Sequence, residues 1–182
     1  MASAVKQINL NPGQRAERKL LITVAEWEEK LEGTTTATET VRELLGTRTE
    51  DSSIEYNPDI QESTDILGNN YTDVNKTQPT QGFDPYLILG GSRLGAFLND
   101  IRRRNALSEL TGVFTIYVIT AFIGTSGAYE AEKHSECTIT YETIGGDTNV
   151  NFPITVHFSN KITTGTVDTL TKDFQFSADV TV

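Results

Sequence analysis

Apolar positions along this chain follow three patterns, and each predicts a different kind of structure. In the first they alternate with polar ones. Leu20–Trp27 (LLITVAEW) is β-branched and aromatic and reads as a strand. Gly82–Leu89 reads as a short apolar strand ending at Gly90-Gly91. From Thr111 onward a period of two dominates. Val113–Gly124 predicts a buried strand, closed by a turn at Thr125-Ser126-Gly127. Ala128–Ile144 sets Tyr129, Ala131, Cys137, Ile139 and Tyr141 against Glu130, Glu132, Thr138, Thr140 and Glu142. After a turn at Gly145-Gly146-Asp147, Val150–Phe158 alternates again. Gly165–Leu170 and Phe174–Val182 predict a last hairpin around Thr171-Lys172-Asp173.

The second pattern has helical spacing. Leu94, Phe97, Leu98 and Ile101 fall on one face, and Ser92 stands where an N-cap would accept from the first turn. Arg102-Arg103-Arg104 closes the segment, where cations complement the helix dipole. A helix is therefore expected over residues 92–105. A shorter helical turn is expected over Glu39–Leu45, stopped by Gly46.

In the third pattern apolar residues are sparse. Met1–Glu17 holds Val5, Ile8 and Leu10 around an Asn11-Pro12-Gly13 turn and reads as an arm. Glu28–Gly33 is polar, and Thr34–Thr40 is extended or loop. Residues 47–81 are rich in Asp, Asn, Glu, Thr and Ser, with Ile54, Tyr56, Ile60, Ile66, Leu67, Tyr71 and Val74 scattered among them. Ile60–Leu67 and Tyr71–Gln78 predict a long hairpin turning at Gly68-Asn69-Asn70, because glycine and asparagine tolerate positive φ. Being polar on both faces, it has little to hold its register on its own, which suits pairing with another chain or facing water inside an assembly. The three patterns together predict one mainly β (α+β) domain over residues 18–182, preceded by the arm at 1–17. Its expected form is an antiparallel β-sandwich or partial barrel with one flanking helix and a long polar hairpin.

Composition sharpens this. The hydrophobic share of 37% and mean hydropathy of −0.31 imply a thin core, with surfaces left for partners. A net charge of −10 repels phosphate and argues against a nucleic-acid groove or an anionic membrane surface. It suits a wall past which DNA slides without sticking. Cys137 is the one cysteine, so no disulfide framework is implied. The N-terminus lacks a hydrophobic signal core, and no stretch reaches the roughly 20 apolar residues of a membrane span. The expected place of synthesis is the cytoplasm.

Candidate chemistry is thin. His157 falls on the polar phase of its strand and reads as an exposed histidine. His134 and Cys137 form a two-member H-x-x-C, short of the three or four ligands of a zinc site. Cys137 lies on an apolar phase and reads as a small buried hydrophobe. Gly90-Gly91-Ser92-Arg93-Leu94-Gly95 opens the helix and could attract an anion, but lacks the Gly-Lys-Ser/Thr ending of a phosphate loop and reads as a capped turn. Asp65–Lys76 lacks the calcium-loop series. No catalytic residue, cofactor or metal ligand is assigned, and no enzymatic activity is expected.

A family resemblance rests on ordered stretches. Asp51-Ser52-Ser53-Ile54-Glu55-Tyr56-Asn57-Pro58 leads to Ser63-Thr64-Asp65-Ile66-Leu67-Gly68, Thr72–Pro79 and Phe83-Asp84-Pro85. A central helix follows, then Ile144-Gly145-Gly146-Asp147, Phe152–Phe158 and the segment Gly165–Phe176. In this order the chain resembles the major tail tube proteins of siphophage-like bacteriophages and prophages. The resemblance implies a β-sandwich with a flanking helix, hexameric rings closing an inner barrel between subunits, and stacking of rings into a tube around a tape measure protein. Tail terminator and distal tail proteins would be further partners. DNA would pass through without specific binding, and the chain would reside in the virion tail. The extra immunoglobulin-like domain that some relatives carry is not expected from these residues, and contractile tails share the fold. Patterning assigns Glu55, Glu62, Asp65 and Asp73 to the acidic lumen. It assigns Val5, Ile8, Leu10, Tyr71 and Val74 to contacts between subunits. Rival readings are a ring-forming terminator or head–tail joining protein, a ligand-binding β-sandwich, and an enzyme with an unrecognised site.

Overall fold

A computed structural model describes residues 8–30, 38–49, 52–74 and 77–179. The elements run β1 (Leu21–Lys30), β2 (Thr38–Leu45), β3 (Ile54–Glu55), β4 (Ile60–Thr64), β5 (Asn70–Val74), β6 (Thr80–Phe83), α1 (Arg93–Arg104), β7 (Phe114–Thr125), β8 (Ala128–Tyr141), β9 (Ile154–His157), β10 (Ile162–Val167) and β11 (Phe176–Ala178). Among the described residues, a 9-stranded antiparallel sheet has the order β2-β1-β7-β8-β9-β6-β3, with β10 pairing both β8 and β11, while β4 and β5 pair only with each other.

The sheet folds over because β8 serves both layers. Its first half, Tyr129–His134, pairs with β10, and its second half, Thr138–Tyr141, pairs with β9. Between them Glu136 has φ +58°, and the ladder to β7 skips a residue between Phe114 and Ile116. Such a bulge bends a strand. One layer is thus β2-β1-β7-β8-β10-β11, and the other is β8-β9-β6-β3. The chain is a mainly β sandwich with one flanking helix, as expected from the alternation.

The core lies between the layers and under the helix. Ala25, Trp27, Phe114, Ile116 and Val118 from the first layer meet Phe83, Ile154 and Val156 from the second, with Leu94, Leu98 and Ile101 of α1. The rings of Trp27, Phe97 and Phe114 lie 6.0–6.1 Å apart. The first layer is buried on its other face too. Val24, Tyr117, Ile119, Ala131 and Val167 are covered by Phe174, with Leu170 and Phe176 packed alongside. Burial on both faces explains why β7 reads as a continuous apolar run. One polar rung crosses the core. Gln81, fully buried, accepts from Thr23 Oγ1 at 3.0 Å and donates to Ser52 Oγ at 3.1 Å, so its amide is satisfied.

The helix matches expectation at both ends. Ser92 Oγ accepts from Gly95 N at 3.0 Å, and Asn105 caps the C-terminus in the left-handed region. Other boundaries differ. Glu39–Leu45 is strand rather than helical turn: β2 pairs with β1 from Thr23↔Leu45 to Lys30↔Thr38, burying Val41 and Leu45. A ladder to β1 and a buried face outweigh a single helical turn that would bury nothing. Gly46, at φ +87°, ends the strand. Strand β1 itself runs on through Glu28–Lys30, and residues 31–37 lie outside the described residues. Strand β6 stops at Phe83, because Pro85 has no N–H for a ladder. In the last hairpin the ladder is shorter and the connection longer. Asp168 Oδ1 accepts from Gln175 N at 2.7 Å, while Phe174 turns inward to cover the sheet.

Candidate functional site

The helix N-terminus, expected to be a capped turn with some attraction for anions, holds the protein's own carboxylate. Glu43 projects from β2, and its Oε2 accepts from the backbone N–H groups of Arg93 and Leu94 at 2.8 and 3.0 Å. Its Oε1 accepts from Ser92 Oγ and from the Tyr86 hydroxyl, both at 2.7 Å. Burial, then the charge of Glu43, pushes the Tyr86 phenol well above its ordinary range. An open cleft of about 770 Å³ runs along the outer edge of β2 and past this cluster, bounded by Leu89–Arg93 and by Lys172, Asp173 and Gln175. With Glu43 holding the helix dipole, the donors that would bind a foreign anion are already engaged.

The two histidines and the cysteine sit as structural groups. His134 is buried, with Nε2 3.3 Å from Glu132 Oε2 and its ring edge-on to Phe158 at 4.9 Å. The hydrogen bond from His134 holds the Glu132 carboxyl below its usual range. Cys137 Sγ donates to the His134 carbonyl at 3.4 Å, and burial pushes its thiol up, which disfavours the thiolate a nucleophile needs. His157 is exposed on β9, 2.9 Å from Thr140 Oγ1. Among the described residues no group of three or more His, Cys, Asp and Glu is placed to hold a metal ion. No described helix is long and apolar enough to cross a membrane.

What stands out is the β4–β5 hairpin. It leaves the sandwich between β3 and β6, which pair through Ile54↔Gln81 and Glu55↔Thr80. Asn57 braces its neck, its side-chain amide donating to Gln78 O and Thr80 Oγ1 at 3.2 and 3.3 Å. Every residue of both strands is exposed. A two-stranded ribbon with neither face covered is marginal alone, so this one gains by burial against something else. Its turn is well built. Asp65 Oδ1 accepts from Leu67 N and Asn69 N at 2.8 and 2.9 Å, and Oδ2 from Asn69 Nδ2 and Tyr71 OH at 2.9 and 3.0 Å. These bonds, Asn69 foremost, lower the Asp65 carboxyl to about 2. The turn they hold thrusts Ile66 and Leu67 into solvent, at 102% and 81% exposure.

The register places the candidate residues individually. Glu62 opposes Thr72, and Ile60 opposes Val74, so these share one face. Asp73 opposes Gln61, and Tyr71 opposes Ser63, on the other face. Glu62 and Asp73 therefore point apart, Asp65 is engaged in the turn, and Glu55 is exposed in β3 at the neck. In the arm, Ile8 bridges Ile123, and Asn9 N donates to Phe122 O at 2.8 Å, so this stretch lies along the end of β7. Ile8 remains 62% exposed, and Leu10 is half-buried. Val5 lies outside the described residues. Sequence reasoning passed over Ile66 and Leu67 as functional residues. The available signal was an aliphatic pair between a turn-forming aspartate and Gly68-Asn69-Asn70. It also passed over Glu43, for which no local signal existed. Compared with known proteins, the chain matches no family model and no curated sequence.

Proposed function

We propose that this chain is a self-assembling structural subunit whose copies join into hexameric rings that stack into the hollow tube of a bacteriophage tail. The observation that carries the reading is the β4–β5 hairpin. It stands outside the sandwich with all its strand residues exposed and aliphatic side chains at its tip, a shape that serves burial against a neighbour. The order of the sheet supports it, because among the described residues β2 and β3 end the path as unpaired edges. Unpaired edges favour closure between subunits. The net charge of −10 supports a lumen that conducts DNA without holding it. Tape measure, tail terminator and distal tail proteins are the partners this role entails, and the assembled tail of the virion is its place.

Negative-stain electron microscopy of the purified chain across a concentration series tests the reading. Hollow tubes of uniform diameter with a regular axial repeat are the expected result. Isolated rings would turn the reading towards a terminator or head–tail joining subunit. A chain that stays monomeric at high concentration, even with tail-tip components added, would sink it.

A further inference from the structure

The hairpin and the C-terminal end of α1 carry complementary surfaces. On the hairpin, Glu62 sits on the same face as Ile60 and Val74, which are 54% and 62% exposed, and Ile66 and Leu67 extend beyond them. No ion pair with another described residue engages Glu55, Asp59, Glu62 or Asp73. At the helix end the reverse holds. Arg104 is neutralised by Asp100 and Glu109, but Arg102 donates only to the neutral side chain of Asn99, and Arg103 stands exposed without an ion pair to a described residue. Leu107, just beyond the helix, is 50% exposed. The helix end thus carries two cations without an ion pair to a described residue, with an exposed aliphatic side chain a few residues beyond them in sequence.

We propose that the hairpin of one copy docks on the C-terminal end of α1 of a second copy. Ile66 and Leu67 pack against Leu107, and the Glu62 carboxylate faces Arg102 and Arg103. The second copy is the occupant that the charges favour. Chains of net charge −10 repel one another, so contact between copies is favoured where cations of one meet carboxylates of the other, and these two segments supply such groups. The contact joins two different surfaces, so it is a head-to-tail contact that can repeat from one ring of the stack to the next. The inference rests on the self-assembly reading and names the contact that links successive subunits.

Sedimentation velocity and electron microscopy on the full chain test it with three variants. They are Ile66→Ser with Leu67→Ser, Glu62→Arg, and Arg102→Glu with Arg103→Glu. Circular dichroism should match the wild type for all three, because these positions lie outside the core; urea midpoints should match for the two hairpin variants and fall modestly for Arg102→Glu with Arg103→Glu, which takes cations from the helix C-terminus. Each variant alone is expected to raise the concentration at which assembly begins by about tenfold or more. Mixing Glu62→Arg chains with Arg102→Glu/Arg103→Glu chains should restore assembly, since every junction in an alternating filament then pairs opposite charges. Variants that assemble like the wild type, or a mixture that fails to recover, would overturn the docking contact and leave self-assembly standing. A wild-type chain that never assembles would instead remove the reading on which the contact depends.

Discussion

The Ser92 hydroxyl at the head of α1 lies 2.7 Å from the Glu43 carboxylate in β2, although 49 residues separate them in sequence. Through this carboxylate the helix start, the edge strand and Tyr86 are joined by four hydrogen bonds. Glu43→Ala leaves all four donors to water or to nothing, and should cost about 2 kcal/mol. Glu43→Gln keeps a carbonyl oxygen and should cost about half as much. Urea unfolding with an unchanged slope checks both. An unshifted midpoint for Glu43→Ala would show that the helix is held by its apolar face alone.

Burial, with the charge of Glu26 next, pushes the Tyr117 phenol up to about 12 against an ordinary 10.0. The folded state therefore keeps this proton after the unfolded chain has lost it. The associated stability is present below pH 10 and declines as pH rises towards 12. Ultraviolet titration of the folded protein should show Tyr117 ionising late. Glu26→Gln should bring its midpoint back towards the ordinary value. A titration unchanged by that substitution would remove Glu26 as a cause.

At the hairpin tip the sign is opposite. The Asp65 carboxyl is lowered from 3.8 to about 2, so the bonds it accepts are fully present above the ordinary value and are lost as pH falls through about 2. Carboxyl chemical shifts should place its midpoint there, and backbone shifts of Leu67 and Asn69 should follow the same curve. In Asp65→Ala, amide exchange at the tip should quicken while exchange in β7 and β8 stays the same.

Gly165 is the close approach between β10 and β11. A Cβ at this position would lie 2.3 Å from the Ser177 carbonyl oxygen and 2.7 Å from Phe176 Cζ. Gly165→Ala should push the C-terminal segment off the sheet and destabilise by about 1–3 kcal/mol, read as a lowered melting temperature with loss of exchange protection in β11. Gly82→Ala, where a Cβ meets nothing within 4 Å, is the control and should stay within about 0.5 kcal/mol of the wild type. Equal melting temperatures for the two variants would contradict this packing.

Local signals were the legible ones. Helix α1 could be read because its spacing, its Ser92 cap and its terminal arginines all lie within one segment. The paired strands of the C-terminal half could be read because alternation is local too. Strand β2 could not, because Glu39–Leu45 is short and polar and becomes a strand only through its ladder to β1. The bend at Glu136 was hidden for a related reason. A single left-handed residue between His134 and Cys137 shifts the alternation, so that both are buried although three residues apart. The acidic residues of the hairpin were read as one set, whereas pairing register turns Glu62 and Asp73 to opposite faces and the turn engages Asp65. Register between β4 and β5 is set by the turn around Asp65 rather than by a buried face, so the hydrophobic pattern carried little information about it.

Both stalks of the hairpin leave the sandwich from the same rung, Glu55↔Thr80. Its length is therefore independent of everything packed behind that rung. Inserting one residue in each strand would carry the tip about 3.3 Å farther out without moving a core side chain, and would turn the tip's faces over as it did so. Two inserted residues per strand restore the facing. The reach of this protein is thus adjustable in paired steps, like a ruler with marks on alternate divisions, while the sandwich that anchors it stays unchanged.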